Sequence, residues 1–284
     1  MKIFVAVFIG ILIIIGVELM AQEEKYTLKE NITFLKINEQ ELKYDMITLD
    51  DEKKNKPVVV VIHGGGWAGG NKESCIGFIQ QFANWGYTSF AIEYRLAKPE
   101  DPLPVQIEDC KAALRFIRNN AKKFNINPNK IAVMGHSAGG HLSSMLGTLP
   151  QGTFEGKGDN LNTSSTVQAV VSLAGPNDMV LAFEHFEGGN EAAEFIYGRK
   201  DELKYWQKIT SPIHYVTKKS VPELLIYGSK DTLVPPVQGE LLHRKMQLVG
   251  AYSEYYIIEG ADHGIPWDKA APLIKPFLEK FLGR

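Results

Sequence analysis

The sequence predicts an α/β domain built on a doubly wound, mostly parallel β-sheet of about eight strands, with helices on both faces. Apolar segments of strand length alternate along the chain with longer segments of helical periodicity. Three of the apolar segments, at residues 58–62, 131–134 and 170–173, are hydrophobic at consecutive positions. A parallel strand that is covered on both faces requires this pattern. Right-handed crossovers between such strands then place helices on both faces of the sheet.

The strands are predicted at residues 32–37, 42–49, 57–62, 88–94, 130–135, 167–173, 223–227 and 254–258. The first two are more typical of half-exposed antiparallel strands than of buried parallel ones. Helices are predicted at residues 74–85, 103–124, 137–147, 236–249 and 268–281. In the helix at 103–124, apolar residues at three-and-four spacing form one stripe.

One stretch, residues 175–219, does not fit the alternation of strands and helices. It is rich in aromatic residues, and it carries no recognisable motif. We predict that it forms a small excursion or cap over the sheet edge, which is indicated by its aromatic residues Phe183, Phe186, Phe195, Tyr197, Tyr205 and Trp206.

Composition narrows the classes of function. The 284 residues are 44% hydrophobic and 23% charged, which is ordinary for a globular chain and too apolar for a disordered one. The formal net charge of −2, without a basic stripe, argues against a nucleic-acid partner. Cys75 and Cys110 are too few for a disulfide framework, and no Cys/His pair has zinc spacing, so we expect no bound metal. A single bridge and two reduced thiols both stay open, as does the oligomeric state.

The N-terminus predicts a secretory signal peptide over residues 1–21. Lys2 precedes an apolar run over residues 3–17, and Ala21 is followed by a polar stretch. Cleavage after Ala21 would leave residues 22–284 as one secreted or periplasmic domain without stable membrane association. The alternative is an uncleaved membrane anchor, although the run is shorter than the ~20 residues that span a bilayer.

The sequence Gly135-His-Ser-Ala-Gly139 predicts an exposed nucleophile at Ser137. It lies between a predicted strand and a predicted helix. A serine at such a sharp turn adopts strained backbone geometry, so glycine is needed two residues away on either side. The adjoining helix N-terminus favours negative charge that develops beside the hydroxyl. The alternative is a glycine turn with a helix-capping serine.

The glycine-rich loop His63-Gly-Gly-Gly-Trp67 directly follows the predicted strand at 57–62. Acyl transfer creates an oxyanion that must be met by fixed N–H donors, and consecutive glycines let a backbone approach closely enough to supply them. We predict an oxyanion hole made by the amides of Gly65 and Gly66, with Ala138 completing it. The Trp67 side chain either packs against an acyl or sugar group of the substrate or belongs to the core.

A serine hydroxyl needs a base and an acid that orients the base. His263 and Asp231 each follow a predicted strand, and the carboxyl ends of parallel strands meet at one sheet edge. We therefore predict a catalytic triad of Ser137, His263 and Asp231. Asp178 and Asp262 are the alternatives for the acid. His136 is expected to shape the substrate pocket, Arg95 to form a structural ion pair, and Glu108 and Asp109 to lie on a solvated helix face.

An ordered set of motifs resembles the α/β-hydrolase superfamily, over a stretch from about residue 40 to the C-terminus. Within that superfamily the chain is most similar to the bacterial esterase branch that includes feruloyl esterases, acetyl-xylan esterases and hormone-sensitive-lipase-like carboxylesterases. The motifs are His63-Gly-Gly-Gly-Trp67, Glu93-Tyr-Arg-Leu96, Gly135-His-Ser-Ala-Gly-Gly-His-Leu142, Gly228-Ser-Lys-Asp231 and Asp262-His-Gly264. Tyr227 stands where the family usually has His, which concerns the subfamily and not the triad.

The resemblance implies an α/β-hydrolase fold and a secreted serine carboxylester hydrolase that uses no metal or organic cofactor. It implies a small-molecule or oligosaccharide ester as substrate, with removal of acetyl or feruloyl groups from plant polysaccharide fragments. An arylformamidase and a general short-chain carboxylesterase or lipase are alternatives. A non-catalytic binding module is disfavoured, because the chain keeps every member of the triad.

Overall fold

A computed structural model describes residues 26–51, 53–185 and 188–283. The described residues form one eight-stranded sheet in the lateral order β1-β2-β4-β3-β5-β6-β7-β8. In chain order its strands are β1 (Tyr26–Ile37), β2 (Gln40–Leu49), β3 (Lys56–Ile62), β4 (Thr88–Ile92), β5 (Ile126–His136), β6 (Ala169–Leu173), β7 (Glu223–Gly228) and β8 (Ser253–Ile258).

Strand directions confirm the predicted fold class. The β1–β2 and β2–β4 pairs are antiparallel, and the other neighbouring pairs are parallel. β1 begins at Tyr26, six residues before the predicted start at Ile32. Its added residues include Lys29 and Glu30 on a largely exposed edge strand, where polar side chains stay in water. Hydrophobicity therefore could not mark this part of the strand.

The helices fill the crossovers, and they are α1 (Ile76–Asn84), α2 (Val105–Asn119), α3 (Ala121–Phe124), α4 (Ala138–Thr148), α5 (Met179–Glu184), α6 (Gly189–Tyr197), α7 (Leu203–Ile209), α8 (Val237–Val249) and α9 (Trp267–Leu282). The predicted single helix at 103–124 is wrong in one respect. Asn120 lies between α2 and α3 with φ −96° and ψ 17°, which interrupts the helix.

Two apolar layers cover the sheet. On β3, Val58, Val60 and Ile62 pack into one layer with α2 and α4, while Val59 and Val61 pack into the other with α1 and α9. All seven residues of β3 are buried, as the consecutive apolar pattern predicts. Packing on both faces holds the central strands in place, and this fixes the points from which the loops at their carboxyl ends begin.

Residues 175–219, called the cap from here on, contain α5, α6, α7 and a 3₁₀ turn at Pro212–His214. The Ile196 carbonyl accepts a hydrogen bond from the Leu103 amide at 2.9 Å, which ties α6 to the chain just before α2. Phe183 and Tyr197 are buried in the cap and join the same apolar layer as α2 and α4. Phe186, one of the aromatic residues on which the prediction rests, lies outside the described residues. The described part of the predicted excursion is a packed helical segment.

The structure corrects the prediction for Asp109 and resolves the cysteine alternatives. Asp109 is 1% exposed and accepts a hydrogen bond from Arg95 Nη2 at 2.7 Å, so it does not lie on a solvated face. Arg95 forms the expected structural ion pair, and Glu108 is half-buried. Cys75 and Cys110 are both free and buried.

The predicted signal peptide, residues 1–21, lies outside the described residues. Among residues 26–51, 53–185 and 188–283, no helix has both the length and the apolar character needed to cross a bilayer.

Candidate active site

Ser137 occupies a sharp turn between β5 and α4. Its φ of 57° and ψ of −122° lie in a region that non-glycine residues rarely adopt. Its amide donates to the Leu173 carbonyl at 2.8 Å, which fixes the turn against β6. This is the strand-to-helix elbow that the motif predicts, and the strain at Ser137 is held by the packing around it.

The flanking glycines are needed because backbones approach each other closely here. A Cβ on Gly139 would lie 2.1 Å from the Ile62 carbonyl oxygen, and one on Gly135 would lie 2.2 Å from the Gly139 backbone. Atoms cannot approach that closely, so a side chain at Gly139 would force the start of α4 away from β3, and one at Gly135 would force it away from β5. The glycines therefore set the position of the serine relative to the loop that follows β3.

That loop is the glycine-rich segment after His63. A Cβ on Gly64 would lie 2.8 Å from the His136 carbonyl oxygen, so the loop lies directly against the elbow. Gly65 has φ 114° and its carbonyl accepts from the Gly69 amide at 2.8 Å, which closes a turn. Gly66, at φ 57°, borders the same pocket as Ser137 and Ala138, whereas Gly65 is absent from that pocket wall.

Asp231 and His263 are brought together from β7 and β8. The Nδ1 of His263 lies 2.8 Å from Oδ2 of Asp231, and the carboxylate is buried. The other oxygen, Oδ1, accepts from the amides of Leu233 and Val234 at 2.9 and 2.8 Å. A carboxylate oxygen accepts hydrogen bonds, so a neutral His263 ring carries its proton on Nδ1 and leaves Nε2 unprotonated.

The carboxylates of the two alternative acids, Asp178 and Asp262, accept hydrogen bonds from backbone amides. Asp178 caps α5 by accepting from the Val180 and Leu181 amides, each at 3.1 Å. Asp262 accepts from the Gly264 amide at 2.9 Å. Neither pairs with the His263 ring, and the geometry favours Asp231.

His136 joins the His263 loop to the elbow. Its Nε2 lies 2.7 Å from the His263 carbonyl oxygen, and the two imidazole ring centroids are 4.8 Å apart. Burial lowers the pKa of His136, so the neutral ring donates to that carbonyl. His136 is not among the wall residues of the pocket that holds Ser137, but it lines a neighbouring cavity together with Gly64 and Gly264, so its predicted part in shaping the substrate pocket stays a prediction. It belongs to the support behind the serine.

The Ser137 hydroxyl makes no hydrogen bond to any residue within 26–51, 53–185 and 188–283. The structure therefore pairs His263 with Asp231, but it does not pair His263 with the Ser137 hydroxyl. In the same described part of the chain, no cluster of His, Cys, Asp or Glu could hold a metal ion.

Beside Ser137 lies an apolar pocket of about 230 Å³. The cap supplies half of the residues that line it, and the others come from the loops after β3 and β7 and from the turn between β5 and α4. Trp67 is both a wall residue and a core residue, since it is 7% exposed and its ring centroid lies 5.9 Å from that of Phe183. No motif in the sequence marks the remaining apolar wall residues, which are Pro176, Ala182, Ala192, Ile196, Leu233 and Val234.

Comparison with known proteins identifies the family. The model of the BD-FAE family matches residues 28–246, which is most of the chain and includes Ser137 and Asp231. The chain belongs to the BD-FAE family. The predicted resemblance to the esterase branch of the α/β-hydrolases is thereby confirmed.

Two proteins with similar sequences are named as esterases. Esterase LipC of Mycobacterium tuberculosis is 29% identical over 76% of this chain and 54% of its own length. Isoprenylcysteine alpha-carbonyl methylesterase ICME of Arabidopsis thaliana is 28% identical over 73% of this chain and 50% of its own. The BD-FAE chain thus spans about half the length of these relatives.

Solved structures show the same fold over nearly the whole chain. A truncated carbohydrate esterase from gut microbiota superposes with a TM-score of 0.79 at 27% identity, covering 92% of this chain and 99% of that one. A bifunctional GH43-CE protein of Bacteroides eggerthii gives a TM-score of 0.80 at 29% identity, covering 90% of this chain and 35% of that one.

Proposed function

We propose that this BD-FAE chain is a serine carboxylester hydrolase with Ser137 as nucleophile. The observation that carries the proposal is the buried Asp231–His263 hydrogen bond of 2.8 Å beside the strained Ser137 elbow. His263 removes the proton from the Ser137 hydroxyl as its oxygen attacks the ester carbonyl. It then gives that proton to the departing alcohol, which leaves an acyl-enzyme. Water, deprotonated by His263, releases the acid and restores Ser137.

The oxyanion of the tetrahedral intermediate needs donors that are fixed before the reaction begins. Ala138 is the first residue of α4, so its amide has no acceptor within the helix, and it borders the pocket together with Gly66. We assign the oxyanion hole to the amides of Gly66 and Ala138, with Gly65 as a further donor. The N-terminus of α4 adds a favourable electrostatic field at the same point.

Substrates of the proposed enzyme are esters of plant polysaccharide fragments that carry acetyl or feruloyl groups. Two observations support this class. The solved structures with a similar fold include a protein from gut microbiota that is named as a carbohydrate esterase. The pocket beside Ser137 is lined by apolar groups, including the rings of Phe183 and Phe195, which suits a short acyl chain or an aromatic ring.

A fluorophosphonate probe tests the nucleophile directly. We expect labelling of the purified chain and loss of labelling in Ser137→Ala. Ser164→Ala, at a half-buried loop serine, is the matched control and is expected to retain labelling. Unlabelled wild-type protein would favour a non-catalytic binding module.

Side-by-side kinetics test the substrate class. The panel consists of p-nitrophenyl acetate, methyl ferulate, acetylated xylan fragments and N-formylkynurenine. We expect the acetylated or feruloylated substrates to give the highest kcat/KM. Dominant turnover of N-formylkynurenine would identify an arylformamidase, and activity confined to p-nitrophenyl acetate would identify a general short-chain carboxylesterase.

We also infer that the protein is exported, with cleavage after Ala21 of the leader that the first residues encode. N-terminal sequencing of protein from the medium or periplasm of the native host is the test. A mature N-terminus at Gln22 is expected, whereas a retained Met1 in the membrane fraction would indicate an anchor.

A further inference from the structure

His141, one helical turn after Ser137, is a fully buried imidazole whose two nitrogens are bonded to different parts of the chain. Trp67 Nε1 donates to Nδ1 at 3.0 Å, and Nε2 lies 2.7 Å from the Thr210 carbonyl oxygen. An indole N–H can only donate and a carbonyl can only accept, so Nε2 carries the proton and Nδ1 is bare. Burial lowers the pKa of His141 to about 4, so the ring remains neutral at pH 7.

The Nδ1 bond acts on the glycine-rich loop. Gly65, Gly66 and Trp67 have φ values of 114°, 57° and 61°, so three consecutive residues lie in the left-handed region. Such a conformation persists only where surrounding contacts hold it. The Trp67 indole is buried and lies edge-on to the His141 ring, with centroids 5.3 Å apart. This anchor fixes the backbone next to Gly66, where the oxyanion hole is proposed.

The Nε2 bond acts on the cap. Thr210, whose carbonyl accepts the bond, follows α7, and its hydroxyl lies 2.7 Å from the Tyr197 hydroxyl. Tyr197 is the last residue of α6, and its neighbours Phe195 and Ile196 line the pocket beside Ser137. The bond therefore joins α4, which follows Ser137, to the cap, which lines part of the pocket.

We propose that His141 is a positioning residue with two separable effects on the reaction. Through Nδ1 it holds the glycine-rich loop after β3, and through Nε2 it holds the cap in the position that shapes the pocket beside Ser137. The inference rests on the proposed esterase function, because it assigns His141 a part in that reaction. It predicts that the two effects fall on different kinetic constants.

Asparagine and glutamine separate the two bonds. An Asn side chain carries a polar atom near the place of Nδ1, and a Gln side chain carries one near the place of Nε2. His141→Asn thus keeps an acceptor for Trp67 and loses the bond to Thr210. His141→Gln keeps a donor for Thr210 and leaves the buried Trp67 indole without its acceptor.

The experiment measures kcat and KM for p-nitrophenyl acetate and p-nitrophenyl hexanoate. For His141→Gln we expect kcat to fall about tenfold or more with both esters, since the loop donors are displaced, while KM changes less than about threefold. For His141→Asn we expect KM for the hexanoate to rise about tenfold, while kcat for the acetate falls less than about threefold. His243→Asn, at a remote histidine bonded to Ser253, is the matched control and is expected to change neither constant.

Trp67→Phe provides a second route to the loop effect. It removes the same hydrogen bond from the other partner, so its loss in kcat should not add to that of His141→Gln. Tyr197→Phe likewise loosens Thr210 and should raise the KM for the hexanoate. These two variants carry the test if a His141 variant fails to fold, which thermal melting followed by circular dichroism will show.

The two separable effects would be overturned if both His141 variants changed kcat and KM to the same extent, or if neither variant changed either constant. Additive losses for Trp67→Phe and His141→Gln would overturn the loop effect. If the wild-type protein hydrolyses esters but the variants behave in one of these ways, the role of His141 is overturned and the proposed function is not. A wild-type enzyme without ester hydrolysis would contradict the proposed function and this role together.

Discussion

The loops at the carboxyl ends of the strands and the cap are built on different physical principles. In the loop after β3, backbone lies against backbone so closely that a Cβ at Gly65 would be 2.3 Å from the Gly69 carbonyl oxygen. In the cap, side chains make the contacts, such as the Tyr197–Thr210 hydroxyl pair and the ring of Phe183 against Trp67. The first arrangement tolerates almost no change, while the second allows side chains to be exchanged.

For the proposed esterase, this difference predicts that the loops govern the reaction and the cap governs specificity. Bond-making chemistry needs donors and the nucleophile fixed within a fraction of an ångström, which tightly packed backbone supplies. Acyl selectivity needs a wall of suitable shape, which apolar side chains on short helices supply. Substitutions in the loops should therefore change the rate with every substrate, and substitutions in the cap should change the ranking of substrates.

The largest effect is expected at Ser137. Ser137→Ala removes the nucleophile and should lower kcat/KM by roughly 10⁴-fold or more, equally for every ester. Initial rates with p-nitrophenyl acetate and methyl ferulate provide the measurement. A loss confined to one ester would break the proposed separation between loops and cap.

The next effect is expected at Asp231. Asp231→Asn leaves the site's shape intact but no longer stabilises the His263 imidazolium, so kcat should fall by roughly 10³–10⁴-fold. Asp262→Asn is the matched control, because Asp262 bonds only its neighbour Gly264 in the described residues. A comparable loss in that control would show that the acid has been assigned to the wrong residue.

A smaller and selective effect is expected in the cap. Phe195 is 48% exposed and borders the pocket, so Phe195→Ala should lower kcat/KM for p-nitrophenyl hexanoate about tenfold relative to the acetate. Leu248→Ala, at an 83% exposed leucine on α8, should leave the ratio unchanged. An equal loss with both esters would show that the cap acts on the chemistry as well.

The smallest effect on activity is expected at Glu223, at the start of β7. This buried carboxyl accepts from the Ser144 hydroxyl, and burial raises its pKa from 4.5 to about 7. Because the folded-state pKa is raised, its contribution to stability is complete below pH 4.5 and is lost as pH rises to about 7. The loss is roughly 3 kcal/mol at 1.36 kcal/mol per pH unit.

Glu223→Gln stays neutral at every pH and should remove that part of the pH dependence. Melting temperatures at pH 5 and pH 8 measure it, with fluorophosphonate labelling as the check that the active site is intact. A variant whose melting temperature falls between those pH values as much as that of the wild type would contradict the raised pKa.

Sequence alone was enough where a structural need is local. The elbow at Ser137 demands glycine on both sides, and the demand is written in five consecutive residues. The strands and the order of the three proposed triad residues follow from apolar runs and from the convergence of parallel strands at one edge. The roles of those residues in catalysis stay predictions.

Sequence was not enough where the need is met across long distances in the chain. Trp67 and Thr210 lie 74 and 69 positions from His141, and no local pattern connects them. A charged residue is usually exposed, and the helical pattern therefore predicts a solvated face for Asp109. Burial of its carboxylate is instead offset by the guanidinium of Arg95, which lies 14 positions earlier in the chain and bonds to it.

The two cysteines have a practical consequence. Cys75 packs in the apolar layer with α1 and α9, and Cys110 packs in the opposite layer with α2, so the whole sheet separates the two sulfur atoms. Burial also raises the pKa of Cys75 to about 12, which keeps its thiol protonated and unreactive. The fold therefore does not depend on oxidation, and recombinant production of residues 22–284 in a reducing bacterial cytosol should yield the same fold.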